Sequence, residues 1–201
     1  MKAGSTTATI AVTLAVTLWS LPVARAAENE LAAKVCATCH GPTGQSTSPT
    51  FPRLAGQTAE YMEVQIKAFR DRTRADPHAR AYMWGMAAQL SDEAIAGLAA
   101  YYSALPPAAG TPADSGEVAK GRQIFMEGIE AEQVPACHAC HGEKAEGIGA
   151  VPRLAGQHRR YLERQLEAFA SNLRANEIMH DNSKNLTAAE ISAVAAFLSS
   201  Q

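Results

Sequence analysis

All four cysteines of the chain lie in two Cys-x-x-Cys-His segments, residues 36–40 and 137–141. Two thiols three positions apart on a helical turn face the same way, so both can bond to one planar partner. The histidine that follows can then direct its imidazole at a metal in the centre of that partner. This is the attachment pattern of c-type haem. It predicts thioether bonds and iron ligation by six residues: Cys36, Cys39, His40, Cys137, Cys140 and His141.

Two other interpretations of a Cys-x-x-Cys segment compete with haem attachment. A disulfide redox motif needs a neighbouring strand pattern, and the sequence has no run with sustained alternation of apolar and polar residues. Half of a zinc site would use the thiols, but it would not need the same adjacent histidine in both segments. Two complete copies that use every cysteine therefore favour haem attachment, with two haems per chain.

A histidine-ligated iron has a second axial position, and its occupant decides between electron transfer and chemistry at an open metal. Met83 lies seven residues before Leu90, and Met179 lies seven residues before Leu186. Both leucines stand immediately before a predicted helix, so the two methionines occupy equivalent positions. The sequence therefore predicts Met83 and Met179 as sixth ligands, which would raise the reduction potential of each haem.

The methionines have competitors for that role. Both could be ordinary core residues. Met86 lies close to Met83, but its counterpart in the second half is Asn182. Bis-histidine ligation through His78 or His180 is a further alternative, although neither has a histidine at the equivalent position of the other half.

A repeated Pro-Arg pair follows each haem motif at a similar distance. Pro52 and Pro152 could each hold a loop whose carbonyl accepts a hydrogen bond from the histidine ring, or they could be simple turn prolines. Arg53 and Arg153 could pair with a haem propionate, or they could be solvated. Two other histidines, His138 and His158, are predicted to be surface residues without a ligand role.

The chain repeats itself, and the repeat defines its domains. Residues 51–57, FPRLAGQ, recur 100 residues later as VPRLAGQ. A Pro, Gly and Ala-rich stretch without helical periodicity, residues 106–112, separates the two copies and is predicted to be a linker. The prediction is one domain over residues 27–105 and a second, duplicated domain over residues 113–201.

Each half has the apolar spacing of helices, so the predicted fold class is all-α. Met62, Ile66 and Phe69 share one helical face. Ser91 is predicted to cap the last helix of the first half, and Thr187 with Glu190 forms a capping-box pattern before the last helix of the second.

The first 26 residues have the composition of an export signal. An apolar stretch of about 16 residues ends in Ala24-Arg25-Ala26, a small-residue cleavage pattern. An uncleaved anchor is the alternative, but the stretch is shorter than the roughly 20 residues that a spanning helix needs. Cleavage after about Ala26 would place the mature protein outside the cytoplasm. The formal net charge of −2 disfavours nucleic-acid binding through a basic surface.

In the order of its motifs, C-A-T-C-H-G, F-P-R-L-A-G-Q, M-x6-L-S-D, linker, C-H-A-C-H-G, V-P-R-L-A-G-Q and M-x6-L-T, the mature chain resembles the dihaem cytochrome c4 family. The resemblance implies two class I cytochrome c domains related by a pseudo-twofold axis, with haem propionates facing the domain interface. It also implies a periplasmic carrier that delivers electrons to a terminal oxidase. One departure is the segment after Met179, which lacks the glycine and alanines that follow Met83.

Three functions compete on this fold. The favoured one is an electron carrier between redox proteins, a quinol-oxidising complex or a membrane oxidase, with no small-molecule substrate. Loose association with a membrane is left open. The alternative is a dihaem cytochrome subunit of a dehydrogenase, such as a sulfide-oxidising flavocytochrome. A dihaem peroxidase would need an open iron and acid–base residues beside it, so the expectation is that the chain is not an enzyme.

Overall fold

The computed structural model describes residues 30–201, so the predicted export signal lies outside the described residues. We refer to residues 30–105 as domain one and residues 113–201 as domain two. The described part contains helices and two isolated β-bridges but no strand. Its α-helices are α1 (Ala37–His40), α2 (Ala59–Arg70), α3 (Trp84–Ala87), α4 (Asp92–Ser103), α5 (Ser115–Glu127), α6 (His138–His141), α7 (Arg159–Ala170), α8 (Glu177–Ser183) and α9 (Ala188–Ser199).

Three shorter segments complete the helical structure. Two are π-helical, Ala32–Cys36 directly before α1 and Ala79–Met83 directly before α3. The third is a 3₁₀ turn at Glu130–Glu132 in domain two. π-helical turns are rare and often lie at functional sites. Here both of them end on a predicted site residue of domain one.

Domain two is built around the crossing of α5 and α9. Gly121 is buried at the crossing, where a side chain would collide with the backbone carbonyl of Ala193. The missing side chain lets the two helices approach closely, and Phe125 packs on Phe197 with ring centroids 5.4 Å apart. The core of domain two is therefore one continuous cluster between α5, α7 and α9.

Domain one divides its core between two clusters. One lies between α2 and α4 and includes Met62, Leu98 and Tyr102. The other surrounds Phe69 and includes Ala79 and Ala87. Ile66 and Leu90 pack against both clusters. The four apolar residues that recur at helical spacing along α4 are all buried: Ile95, Leu98, Ala99 and Tyr102.

The predicted helix caps are confirmed in both domains. Ser91 Oγ accepts a hydrogen bond from the backbone N–H of Ala94 and begins α4. Thr187 and Glu190 form the reciprocal capping box at the start of α9. Each cap supplies an acceptor for a backbone N–H that the helix itself leaves without a partner.

The domains meet through a hydrogen-bonded seam with approximate twofold symmetry. The Gln157 side chain accepts from the backbone N–H of Arg53 and donates to its carbonyl, both at 2.9 Å. Gln57 makes the same pair of bonds with Arg153, at 2.7 and 2.9 Å. Because both glutamines are buried, each replaces the water that the opposite backbone would otherwise bind. Among residues 30–201, no helix is both long and apolar enough to cross a membrane.

Candidate functional site

The thiols and the histidine of each motif lie on one helical turn. Cys36 ends the π-helical segment, and α1 carries Cys39 and His40. In domain two, Cys137 stands before α6, which carries Cys140 and His141. In each pair the first thiol is half-buried and the second is exposed, and all four cysteines are free. Each turn ends at a glycine with positive φ, Gly41 at 81° and Gly142 at 83°, which few other residues adopt.

The two motif histidines are buried and held in the same way. His40 is 6% exposed and His141 is 8% exposed. Nδ1 of His40 lies 2.8 Å from the carbonyl of Pro52, and Nδ1 of His141 lies 3.1 Å from that of Pro152. A carbonyl only accepts, so Nδ1 carries the proton and Nε2 keeps a free lone pair. The predicted carbonyl–imidazole hydrogen bond is confirmed in both domains.

The surroundings keep both rings neutral. Burial lowers the pKa of His40 and of His141, and the hydrogen bond to the proline carbonyl offsets only part of this effect. A neutral imidazole with Nδ1 protonated is the form that binds a metal through Nε2. The carbonyl also fixes the orientation of the ring, as expected of a partner that supports a metal ligand.

The thiols do not have the character of a disulfide redox site. Burial raises the pKa of Cys36, and it raises the pKa of Cys137 to about 11. Thiols that attack disulfides have a lowered pKa, because the thiolate is the reacting form. No group of three or more metal-binding side chains suitable for a zinc ion is present in residues 30–201. Both competing interpretations of the motif therefore lose support.

The segment that carries Met83 is connected to the His40 ring of domain one through packed aromatic side chains. Met83 ends the second π-helical segment and packs against the cluster of Phe69, Ala79 and Ala87. The neighbouring Tyr82 ring contacts Phe51 at 5.3 Å between centroids, and Phe51 contacts the His40 ring at 6.1 Å. The segment that carries Met83 is thus two aromatic rings away from the buried imidazole.

Met179 has a different local structure from Met83. It lies inside α8, where its backbone N–H donates to the Asn176 side chain at 2.9 Å. The residue is half-buried and does not belong to the main core cluster of domain two. Equivalent spacing before Leu90 and Leu186 therefore does not extend to equivalent local structure: Met83 ends a π-helical segment, and Met179 lies within an α-helix.

Arg53 and Arg153 line a narrow cleft between the domains together with Gln57, Gln157 and small residues. The Nε atoms of both arginines are shielded from solvent and have no hydrogen-bond partner in the described residues. An unpaired buried guanidinium N–H is costly. Both side chains are half-buried, and Arg53 Nη1 also donates to the carbonyls of Ala109 and Gly156. Pairing of these arginines with a haem propionate stays a prediction.

Two further sequence predictions need correction. His158 was expected on the surface, but its Nε2 lies 2.7 Å from the carbonyl of Ser46 in the other domain. His138, also predicted as a surface residue, is half-buried, and its Nδ1 is shielded without a hydrogen-bond partner in the described residues. Sequence spacing could not show the His158 contact, because it depends on a chain segment that only folding brings near.

The motif spacing did not reveal the polar contacts that join the domains. Gln57 and Gln157 close the repeated LAGQ segment, and Arg74 and Arg174 are repeated at the same 100-residue offset. Their repetition at this offset was the signal from which contacts between the domains could have been predicted. A polar residue retained in both halves of a duplication can serve the contact between them.

The residues of each domain fit a covalently held haem. Two free thiols stand beside a buried neutral imidazole with an available Nε2, and the unpaired guanidinium N–H groups at the interface suit propionates. When bound, the haem iron supplies one-electron redox chemistry. The chain supplies the nitrogen ligand, the thiols and the positive groups around it.

Comparison with known proteins agrees with this assignment. The family model described as "Cytochrome c" matches residues 27–105 and 118–201. The chain is 44% identical to cytochrome c-552 of Acidithiobacillus ferridurans, over 82% of this chain and 73% of that protein. It is 34% identical to cytochrome c4 of Azotobacter vinelandii, over 94% and 95%. It is also 36% identical to the thiosulfate dehydrogenase electron acceptor of Thiomonas intermedia, over 94% and 88%.

Two solved structures resemble the fold. Cytochrome c4 of Acidithiobacillus ferrooxidans superposes with a TM-score of 0.79 at 43% identity, covering 83% of this chain and 98% of that one. Thiosulfate dehydrogenase (TsdBA) of Marichromatium purpuratum gives a TM-score of 0.76 at 34% identity. That match covers 86% of this chain but only 39% of the larger protein.

Proposed function

We propose that this member of the cytochrome c4 family of dihaem electron-transfer proteins carries electrons in the periplasm towards a terminal oxidase. The chain has two tandem class I cytochrome c domains and two covalently bound haem c groups. The observation that supports this best is the matching site in each domain. Both contain paired thiols and a buried histidine whose Nδ1 is bound to a proline carbonyl. Two such sites in one chain suit a relay of single electrons.

We assign the residues of the sites as follows. Cys36 and Cys39 would form thioethers in domain one, and Cys137 and Cys140 in domain two. His40 and His141 would bind the irons through Nε2, with Met83 and Met179 as sixth ligands. Six-coordinate irons would exchange electrons without an open position for a substrate. The domain limits at residues 27–105 and 113–201, and cleavage after about Ala26, belong to the same proposal.

The test of the carrier function is reoxidation by an oxidase. Purified, fully reduced protein is mixed with membranes that contain a haem-copper oxidase, and haem oxidation is followed in time. We expect rapid oxidation that depends on salt, because charged surfaces guide the encounter of such partners. Oxidation no faster than in membranes treated with an oxidase inhibitor would contradict the oxidase as acceptor.

The dehydrogenase-linked alternative is supported by similarity to proteins named for thiosulfate dehydrogenase. Two relatives are named thiosulfate dehydrogenase electron acceptors, and the similar region of TsdBA is part of a larger thiosulfate dehydrogenase. A second candidate function is therefore acceptance of electrons from a thiosulfate dehydrogenase. Haem reduction should follow when oxidised protein is mixed with such an enzyme and thiosulfate. Mixtures without thiosulfate are the control, and equal rates with and without it would exclude this donor.

A further inference from the structure

A buried polar cluster, made of residues outside the Cys-x-x-Cys-His segments, joins the domains. Its two arginines, Arg74 and Arg174, are 7% and 6% exposed. Arg74 donates to Gln165 at 2.8 Å, and Arg174 donates to Gln65 at 2.7 Å and to the Tyr61 hydroxyl at 2.9 Å. We call this group the arginine cluster; it consists of Tyr61, Gln65, Arg74, Asp76, Tyr161, Gln165 and Arg174.

The symmetry of the arginine cluster fails at one position. Asp76, 2% exposed, accepts from Arg74 Nε at 2.9 Å. The residue 100 positions later is Asn176, which is neutral and makes no ion pair with Arg174. Both residues lie at the start of a helical segment: Asp76 accepts from the backbone N–H of Ala79 and Asn176 from that of Met179. The carboxylate is therefore not needed for the capping role that the two residues share.

The charge difference lies close to the methionine side of each domain. The Arg74 guanidinium lies over the Phe69 ring at 4.7 Å, and Phe69 belongs to the cluster against which Met83 packs. Arg174 lies over Phe169 at 4.4 Å, and the Phe169 carbonyl contacts His180 Nδ1, beside Met179. One layer of side chains thus separates each arginine from the segment with the proposed sixth ligand.

A buried charge at this depth acts on a redox centre more strongly than a surface charge does. Reduction adds an electron, so a nearby carboxylate disfavours the reduced state and an unneutralised guanidinium favours it. Arg72 and Arg80 lie over the Trp84 ring and are exposed, so solvent and salt screen their charges. Solvent and salt reach the buried arginine cluster poorly. In residues 30–201, Arg74 has a carboxylate partner and Arg174 has none.

We propose that Asp76 makes the reduction potentials of the two haems differ. It lowers the potential of the haem in domain one relative to the value that an asparagine at this position would give. This inference rests on the proposed function as a dihaem carrier. The electron then resides preferentially in domain two, because Asp76 pairs directly with Arg74 and Asn176 places no carboxylate against Arg174. Asp76 acts through the field at the site and touches no reacting atom, so it is a positioning residue.

The test uses the exchange of these two residues in the full holoprotein. Asp76→Asn, Asn176→Asp and the double exchange are titrated spectroelectrochemically and compared with wild type. At a fixed potential we expect Asp76→Asn to raise the ferrous-to-ferric ratio of one haem about threefold, which is about 30 mV at 59 mV per tenfold change. Asn176→Asp should lower the ratio of the other haem, and the double exchange should move both.

A matched control removes an exposed carboxylate from the same domain. Asp71→Asn changes the charge equally, but Asp71 is exposed beside Arg70, so both waves should stay in place. Domain two already has an asparagine, Asn176, at the equivalent position, so we expect Asp76→Asn to fold. If it does not fold, Asn176→Asp alone tests the proposal. Unmoved waves in the exchange variants, or equal movement of both waves in each, would overturn the inference. A wild type without two one-electron waves would instead contradict the dihaem carrier function.

Discussion

In domain one the chain enters its Cys-x-x-Cys-His turn from a π-helical segment, Ala32–Cys36, whereas in domain two it enters from a loop after α5. The loop contains the 3₁₀ turn Glu130–Glu132 and a β-bridge between Ile129 and Val134. The histidines nevertheless reach the same environment, each bound to the carbonyl of a proline in the PRLAG segment. The approach to the motif can vary because the motif and the proline loop together fix the imidazole.

The domains differ more in their cores than in their motifs. Domain two relies on one helix crossing at Gly121, while domain one spreads its contacts over two smaller clusters. Domain two should therefore depend more strongly on single core positions. Substitutions at the helix crossing, the methionine segments, the buried acid and the helix caps test how far the two domains differ.

The largest effect is expected at the helix crossing. In Gly121→Ala the added Cβ would lie 1.9 Å from the Ala193 carbonyl oxygen, a backbone atom that cannot move without shifting α9. We expect a loss of about 3 kcal/mol or more in the free energy of unfolding, measured by denaturant titration. Gly85→Ala in α3 is the control, since nothing lies within 4 Å of its added Cβ, and it should change stability by less than about 1 kcal/mol. Equal effects of the two changes would refute the importance of the crossing.

The next effect concerns the proposed sixth ligands. Met83→Ala and Met179→Ala should each lower one haem potential, on the order of 0.1 V within the roughly 0.8 V range that axial ligands span, and allow carbon monoxide to bind that haem. Redox titration and carbon monoxide difference spectra measure both changes. Met86→Ala is the control, because Met86 is 48% exposed in α3. If Met179→Ala leaves both potentials unchanged while His180→Ala shifts one, the sixth ligand of domain two is His180.

A smaller effect follows from the buried acid of domain one. Burial by itself would raise the pKa of Asp76, but the charge of Arg74 and its hydrogen bond outweigh burial and hold the pKa below its ordinary value. A carboxyl with a lowered pKa contributes stability above its unfolded pKa of about 4, and this is lost as the pH falls through the lower folded value. Asp76→Asn should cost about 1–3 kcal/mol at pH 7 and progressively less below pH 4.

Unfolding titrations of wild type and Asp76→Asn at pH 7 and pH 3 measure how the stability cost of the substitution falls at low pH. The exposed Asp71→Asn serves as the control and should show little difference from wild type at either pH. A cost of Asp76→Asn that stays constant between the two pH values would mean that the buried carboxylate does not titrate with the unfolding reaction.

The smallest difference is expected at the two helix caps. Ser91→Ala removes one acceptor at α4, whereas Thr187→Ala at α9 also removes the anchor of the Glu190 side chain. We expect losses of about 1 kcal/mol each, larger for Thr187 by a few tenths, from thermal or denaturant unfolding. Thr47→Ala, at an exposed loop position, is the neutral reference. A larger loss at Ser91 would show that the capping box adds nothing to the cap.

Much of the site was predictable because it depends on residues close together in the chain. The Cys-x-x-Cys-His spacing places thiols and imidazole on one turn, and the prolines lie 12 and 11 residues after the histidines, within one loop. The helix caps and the apolar stripe of α4 were predictable for the same reason. Local hydrogen bonds and helical periodicity decide these features, and both can be read from sequence spacing.

The contacts between the domains were decided only by the tertiary structure. Gln57 meets the backbone of Arg153, His158 meets Ser46, and Arg174 meets Gln65, all across about 100 residues. A glutamine or arginine has the same local preference whether it is solvated or buried. Its role depends on which backbone and side-chain groups the folded chain brings opposite to it. By itself the sequence determined the duplicated haem-binding turns, whose geometry is local, while the seam that joins them depends on burial, which belongs to the whole fold.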